Sequence, residues 1–135
     1  MNRRDFLATT AGFALIPSLL SAGVDYTPGL VDSELAAGKT VFVDFAADWC
    51  STCKRQERVI QSLRKENPAY DQAITFVRVD WDDYRRDALT KRLGIPRRST
   101  LVVLKGDQEL GRIVAGTGKS QIKELMDTAL AAATA

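Results

Sequence analysis

Cys50 and Cys53 are the only thiols in the chain. They stand three residues apart in the stretch FVDFAADWCSTCKRQE, with Asp44 six positions ahead of the first. The chemistry open to such a pair is limited. Two thiols at this spacing close a small-ring disulfide, exchange electrons with another disulfide, or hold a thiophilic metal. Zinc takes four ligands, and no histidine or further cysteine is present to complete a set. Copper(I) is satisfied by two thiolates, so a copper(I) carrier remains an alternative. A ring this small removes little loop entropy from the unfolded chain, which argues against a purely structural crosslink. The lack of histidine also excludes an imidazole base and a Ser-His-Asp triad.

Redox exchange needs a thiolate, and a free cysteine titrates near about 8.5. The run from Cys50 to Glu66 has neither Gly nor Pro. In it Val59, Ile60 and Leu63 recur at helical spacing, and the basic residues fall largely elsewhere on the cylinder. Cys50 thus opens a predicted helix, where unpaired N–H groups and the helix dipole favour an anion. Cys50 is expected to attack. Cys53, one turn further in on the same face and more buried, is expected to resolve the mixed disulfide. Asp44 is the candidate proton acceptor: it lies in TVFVDFAA, a strand pattern buried on both faces, and burial raises a carboxyl's pKa.

The elements that must position these residues follow from the rest of the pattern. A short helix from Val31 stops at Gly38, before the strand Thr40 to Ala47. The helix carrying the cysteines ends near Pro68. A second strand, AITFVRVDW, leads into a predicted helix DDYRRDALTKRLG with Asp82 or Asp83 as cap and Gly94 as terminator. TLVVLKG and ELGRIVAG are strands joined through a Gly-Asp-Gln hairpin, and Ser120 is the expected cap of a closing helix. Strands alternating with helices imply parallel pairing, and the hairpin adds an antiparallel pair. The fold class is α/β: a four-stranded mixed sheet with helices on both faces.

At 135 residues, with 45% hydrophobic and 27% charged side chains, the chain is sized and composed for one soluble domain with a core of its own. A net charge of +2 gives no reason to expect nucleic acid as a partner. The first 23 residues read as an export leader: Arg3 and Arg4, then an apolar run from Leu7 to Leu20, then small residues at Ser21, Ala22 and Gly23. The string Arg3-Arg4-Asp5-Phe6-Leu7 looks like a twin-arginine signal. Residues 1–23 are therefore expected to be a leader and 24–135 the mature domain, exported to an oxidising periplasm. An uncleaved N-terminal anchor is the alternative.

VDFAADWCSTCK resembles the active-site segment of the thioredoxin superfamily, in the strand before the motif, Trp49 before the first cysteine, Lys54 after the second and Asp44 upstream. Within that superfamily ADWCSTCKRQE and VDWDD are similar to the periplasmic thioredoxin-like domain of transmembrane thiol:disulfide interchange reductases. The resemblance implies a thioredoxin fold and a protein-disulfide reductase, and the chain is expected to act as a monomer. It needs no cofactor or metal beyond the Cys50–Cys53 pair, acts on protein disulfides and is recharged by a membrane electron-donor protein. It places Trp49 beside the reactive sulfur and Asp44 beneath Cys53. A thioredoxin-like binding module without turnover is, with the copper carrier, the reading from another functional class.

The chain departs from the family in two places. Thioredoxins carry a cis-proline, followed by Thr and a strand, facing the cysteines. Here the segment is LGIPRRSTLVVLKG, and spacing from Gly94 favours Ser99 over Pro96 as its counterpart. A cis bond before a non-proline residue costs about 3–4 kcal/mol, so Arg98–Ser99 is expected to be trans. The loop Arg97, Arg98, Ser99 and Thr100 is expected to meet the substrate, with the two guanidiniums near the sulfurs. The second departure is Phe76, which stands where the family has a lysine paired with the buried aspartate.

Overall fold

The computed structural model describes residues 23–135. The leader, its twin-arginine string and its cleavage point lie outside the described residues. Five strands form one sheet: β1 (Val24–Asp25), β2 (Thr40–Ala46), β3 (Ile74–Asp80), β4 (Thr100–Lys105) and β5 (Gln108–Val114). Their spatial order is β1-β3-β2-β4-β5. β1 and β2 run parallel to β3, whereas β4 runs antiparallel to both β2 and β5. Among the described residues six helices accompany the sheet: α1 (Leu30–Ala36), α2 (Ser51–Glu66), α3 (Ala69–Ala73), α4 (Trp81–Tyr84), α5 (Ala88–Arg92) and α6 (Lys119–Ala133).

β2 sits in the middle because it is apolar on both sides, and all seven of its residues are buried. Its alternation sorts the core into two layers. Phe42 points into the layer that Ile60 and Leu63 of α2, Tyr70 of α3 and Met126 of α6 fill. Val41, Val43 and Phe45 point the other way, against Val31 of α1 and Leu89 of α5. The single ionisable residue of β2, Asp44, shares the parity of Phe42 and so faces the α2 layer.

The architecture is the expected one, with four corrections, the first being α3, a five-residue helix after Pro68 where no element was expected. The sheet has five strands rather than four: β1 is two residues long, too short to show a period, and pairs with β3 at Val77 and Arg78. The helix expected from Asp82 to Gly94 is two pieces, α4 and α5. Their caps are Asp80, which accepts from the Asp82 N–H, and Asp87, which accepts from the Leu89 N–H. α6 begins at Lys119 with Gly118 as its cap, not Ser120.

The break between α4 and α5 follows from what Asp87 does. Its carboxylate caps α5 and also accepts a 2.6 Å hydrogen bond from the Tyr26 hydroxyl, tying the segment after β1 to the helix. Burial and that carboxylate push the Tyr26 phenol above its ordinary range. Asp87→Ala should lower stability by about 1–2 kcal/mol, the usual loss for a cap, with a buried hydroxyl unpaired in addition. Guanidinium unfolding reads it, and a change of only a few tenths would mean that neither bond matters.

Candidate active site around Cys50 and Cys53

β2 ends at Ala46, and the chain turns into α2 through Ala47, Asp48 and Trp49. Cys50 is the N-cap of α2, with extended backbone at φ −89° and ψ 114°. Its Sγ accepts the Cys53 N–H at 3.2 Å, one of the donors a helix start leaves free. No acidic residue occupies the first turn of α2, so nothing there opposes the positive end of the helix. Cys50 and Cys53 are joined as a disulfide with Cα atoms 5.3 Å apart. Cys53 is completely covered and Cys50 is 3% exposed, the order expected from the sequence. Both pack against Ala46 and Ala47.

Trp49 is 59% exposed beside this nearly covered pair. Its indole N–H donates to the Asp82 carboxylate at 2.9 Å, and the Arg98 guanidinium lies 4.5 Å from its ring centre. A cation over an indole face is favourable electrostatically, so the ring is clamped from an edge and from a face. Arg98 stacks on Trp49, and Arg97 Nε donates to the Arg98 carbonyl. Thr100, also named from the sequence, opens β4, and its hydroxyl donates to the Arg97 carbonyl at 2.7 Å.

Ser99 is the residue of that loop that faces the disulfide. Its hydroxyl oxygen lies 3.2 Å from Cys50 Sγ and 3.0 Å from Cys53 Sγ. Pro96 is exposed on the loop surface. Among the described residues no peptide bond is cis, so Arg98–Ser99 is trans as expected. The backbone solves the geometry differently: Ser99 adopts φ 65°, the left-handed region that non-glycine residues seldom visit. Three hydrogen bonds hold it there. Its N–H donates to the Phe45 carbonyl at 2.7 Å, and its carbonyl accepts from the Ala115 N–H at 2.8 Å and from Gln56 Nε2 at 3.0 Å.

Asp44 is 8% exposed, and its Oδ1 has no hydrogen-bond partner. Burial pushes its pKa up from 3.8 to about 7; the Glu57 carboxylate adds to the rise and the Arg78 guanidinium opposes it. Phe76, read from the sequence as standing in place of a family lysine, packs against Phe42 with ring centres 5.2 Å apart. The positive charge comes instead from Arg78, two residues on along β3 and directly across from Asp44 in the strand register. Arg78 is held at 3.1 Å from Glu57 and 3.0 Å from Asp48. A cleft of about 820 Å³ between α2 and β3, floored by Phe42 and Phe76, reaches Asp44.

Gln56 and Arg78 are site residues that sequence reasoning missed. Gln56 left a legible signal, since it shares the buried stripe of α2 with Cys53, Ile60 and Leu63. A polar residue on an apolar stripe needs partners, and Gln56 Nε2 finds two, the carbonyls of Ser99 and Gly116. Arg78 is one of several arginines, and only the register distinguishes it.

A family model described as Thioredoxin matches residues 26–128. Thioredoxin H2-1 of Oryza sativa subsp. japonica is 33% identical over 99 residues, which is 73% of this chain and 67% of that protein. The mitochondrial thioredoxin-2 of Schizosaccharomyces pombe is 30% identical over 92 residues, 68% of this chain and 65% of its own length. Among solved structures, Trxlp from Edwardsiella tarda EIB202 superposes with a TM-score of 0.66 at 30% identity, covering 77% of this chain and 98% of that one.

The state of Asp44 makes an expected pH dependence. Its folded pKa, about 7, lies above the ordinary 3.8. The folded protein therefore keeps a proton that the unfolded chain releases. The stability this proton contributes is present below about pH 4 and lost as pH rises through about 7. Asp44→Asn should flatten that slope and stabilise the disulfide form at pH 8 by about 2–4 kcal/mol. Arg78→Met should push the loss to higher pH. Guanidinium melts from pH 4 to 9 measure both; parallel curves for the parent and Asp44→Asn would refute the shift.

Proposed function

The chain belongs to the thioredoxin family, and from that premise we propose that it is an exported thiol:disulfide oxidoreductase that reduces disulfides in partner proteins. One observation carries the reading: the Cys50–Cys53 disulfide at the start of α2, with Cys50 Sγ accepting the Cys53 N–H beside an exposed Trp49. A helix start favours a thiolate on Cys50 once the pair is reduced.

The cycle moves two electrons. The Cys50 thiolate attacks one sulfur of a partner disulfide; a bond from Cys50 to that sulfur forms, the partner's S–S bond breaks, and the other partner sulfur leaves as a thiolate. Cys53 gives up its proton, for which Asp44 is the acceptor, and attacks Cys50 Sγ. The Cys50–Cys53 bond forms and the second partner thiolate leaves. Both partner sulfurs then take up protons. The electrons travel in the sulfur bonds, so no cofactor is called for. An acceptor whose pKa lies near 7 is matched to this transfer at neutral pH. Trp49, clamped and exposed, is the surface against which a partner rests, and the loop from Arg97 to Thr100 lies next to it.

Export is read from Arg3-Arg4-Asp5-Phe6-Leu7 and the apolar run behind it. An exported dithiol is oxidised by its surroundings, so a reductase there needs an electron supply. The resemblance of ADWCSTCKRQE to the periplasmic domains of interchange reductases supports a membrane protein as the donor, with the mature domain acting as a monomer.

Insulin reduction with a dithiol donor tests the activity. The parent should turn over and Cys50→Ser should not. Cys53→Ser should accumulate mixed disulfides with partners, and if it traps none the resolving role fails. A potential near about −270 mV fits a reductant, and one near about −120 mV an oxidant. Stoichiometric copper(I) binding with no turnover would replace the proposal by the carrier reading. Substituting lysine for Arg3 and Arg4 should leave the protein in the cytoplasm; unchanged export would remove the twin-arginine route.

A further inference from the structure

The hydroxyl of Ser99 lies within hydrogen-bond reach of both sulfurs, 3.2 Å from Cys50 Sγ and 3.0 Å from Cys53 Sγ. Neither sulfur of a disulfide carries a proton, so in both contacts the hydroxyl is the donor, its one hydrogen shared between them. The side chain is completely buried, out of reach of competing water. Its backbone is fixed to β2 through Phe45, to the segment after β5 through Ala115 and to α2 through Gln56. A left-handed serine held this way is over-determined by its surroundings, the setting in which backbone strain accompanies function.

We propose that Ser99 is a further catalytic residue of dithiol–disulfide exchange, its hydroxyl turning to donate to whichever of the two sulfurs bears the negative charge. This rests on the exchange reading of Cys50 and Cys53. In the reduced protein the O–H is directed at the Cys50 thiolate. When Cys53 has lost its proton and attacks Cys50 Sγ, the O–H is directed at Cys53. In the return direction a donor thiolate attacks Cys50 Sγ, the Cys50–Cys53 bond breaks, and Cys53 leaves as a thiolate; the O–H meets the charge as it forms. The oxygen is placed between the sulfurs, so only the hydroxyl hydrogen rotates and the side chain keeps its rotamer. A proline at this position has no donor to offer.

The direction of the effect follows from charge. A hydrogen bond to a thiolate is stronger than one to a neutral disulfide sulfur, so the hydroxyl favours the reduced, ionised form. Ser99→Ala and Ser99→Gly both remove it, and they differ in backbone: glycine accepts φ 65° without strain and alanine does not. In both variants the Cys50 thiolate absorbance should titrate about one pH unit higher, and the equilibrium with glutathione should move about tenfold toward the disulfide. The charged groups attached to the site, Asp44, Asp48, Glu57, Arg78, Asp82 and Arg98, are unaltered in both. Thermal unfolding of the disulfide forms checks that each variant is folded.

A shift confined to one variant assigns the effect to the backbone and overturns the proposal. Titration and equilibrium both within twofold of the parent in the two variants also overturn it, leaving Ser99 a packing residue. Both quantities are read on the dithiol itself. They answer for Ser99 even if the parent fails to reduce insulin, the separate result that would sink the exchange reading.

Discussion

Every residue of β2 is buried, so the strand needs an apolar layer on each side, and the site inherits its rigidity from that requirement. α2 and α6 close one side, α1 and α5 the other. A carboxyl on such a strand has little water to stabilise its charge, which is why Asp44 holds its proton up to about pH 7. The same strand runs directly into the turn that presents Cys50 as the cap of α2. The sulfur pair and the buried acid are thus fixed by one element. The Cys53 side chain packs on Ala46, the next residue of that strand face after Asp44.

Ser99 is the second junction. It ties β2, the segment after β5 and α2 together through Phe45, Ala115 and Gln56. A left-handed serine would relax if any one of these ties were merely convenient. Gln56 shows that they are not: a buried amide on an apolar stripe is expensive to desolvate, and its NH₂ group is satisfied by the two carbonyls that define this corner. The loop keeps a trans bond and still brings a side chain against both sulfurs.

Much of this was legible in the sequence, for identifiable reasons. β2, α2 and the hairpin have strong periods or strong turn signals, and Cys50, Cys53 and Asp44 stand at positions where helix start and burial dictate their environment. Spacing from Gly94 placed Ser99, and not Pro96, opposite the sulfurs. What failed was local or relational. β1 is too short for a period, and α4 and α5 part because Asp87 serves Tyr26 and Leu89 at once, a tertiary bond invisible in a helical pattern. The stacking of Arg98 on the Trp49 ring is likewise a tertiary contact that leaves no pattern in the sequence. Arg78 could be singled out only after strand pairing set it across from Asp44.

The stacking of Arg98 on Trp49 bears on the proposed direction of electron flow. On the exchange reading, a guanidinium beside Cys50 would lower its pKa strongly. A thiolate made too stable is a weaker nucleophile, and it leaves the disulfide form strongly oxidising. Here the cation is committed to the Trp49 ring, and Cys50 is met by a helix start and a shared hydroxyl, both neutral donors. Neutral donors favour the thiolate less than a full charge does. The full charge near the core, Arg78, is tied to Glu57 and Asp48 and acts on Asp44. Charged residues, Glu57 and Arg78, thus act on the acid of β2, whereas the contacts to Cys50 Sγ come from uncharged groups. On the proposed exchange reading, a Cys50 thiolate met by neutral donors and a buried Asp44 as proton acceptor would together suit a reductant rather than an oxidant.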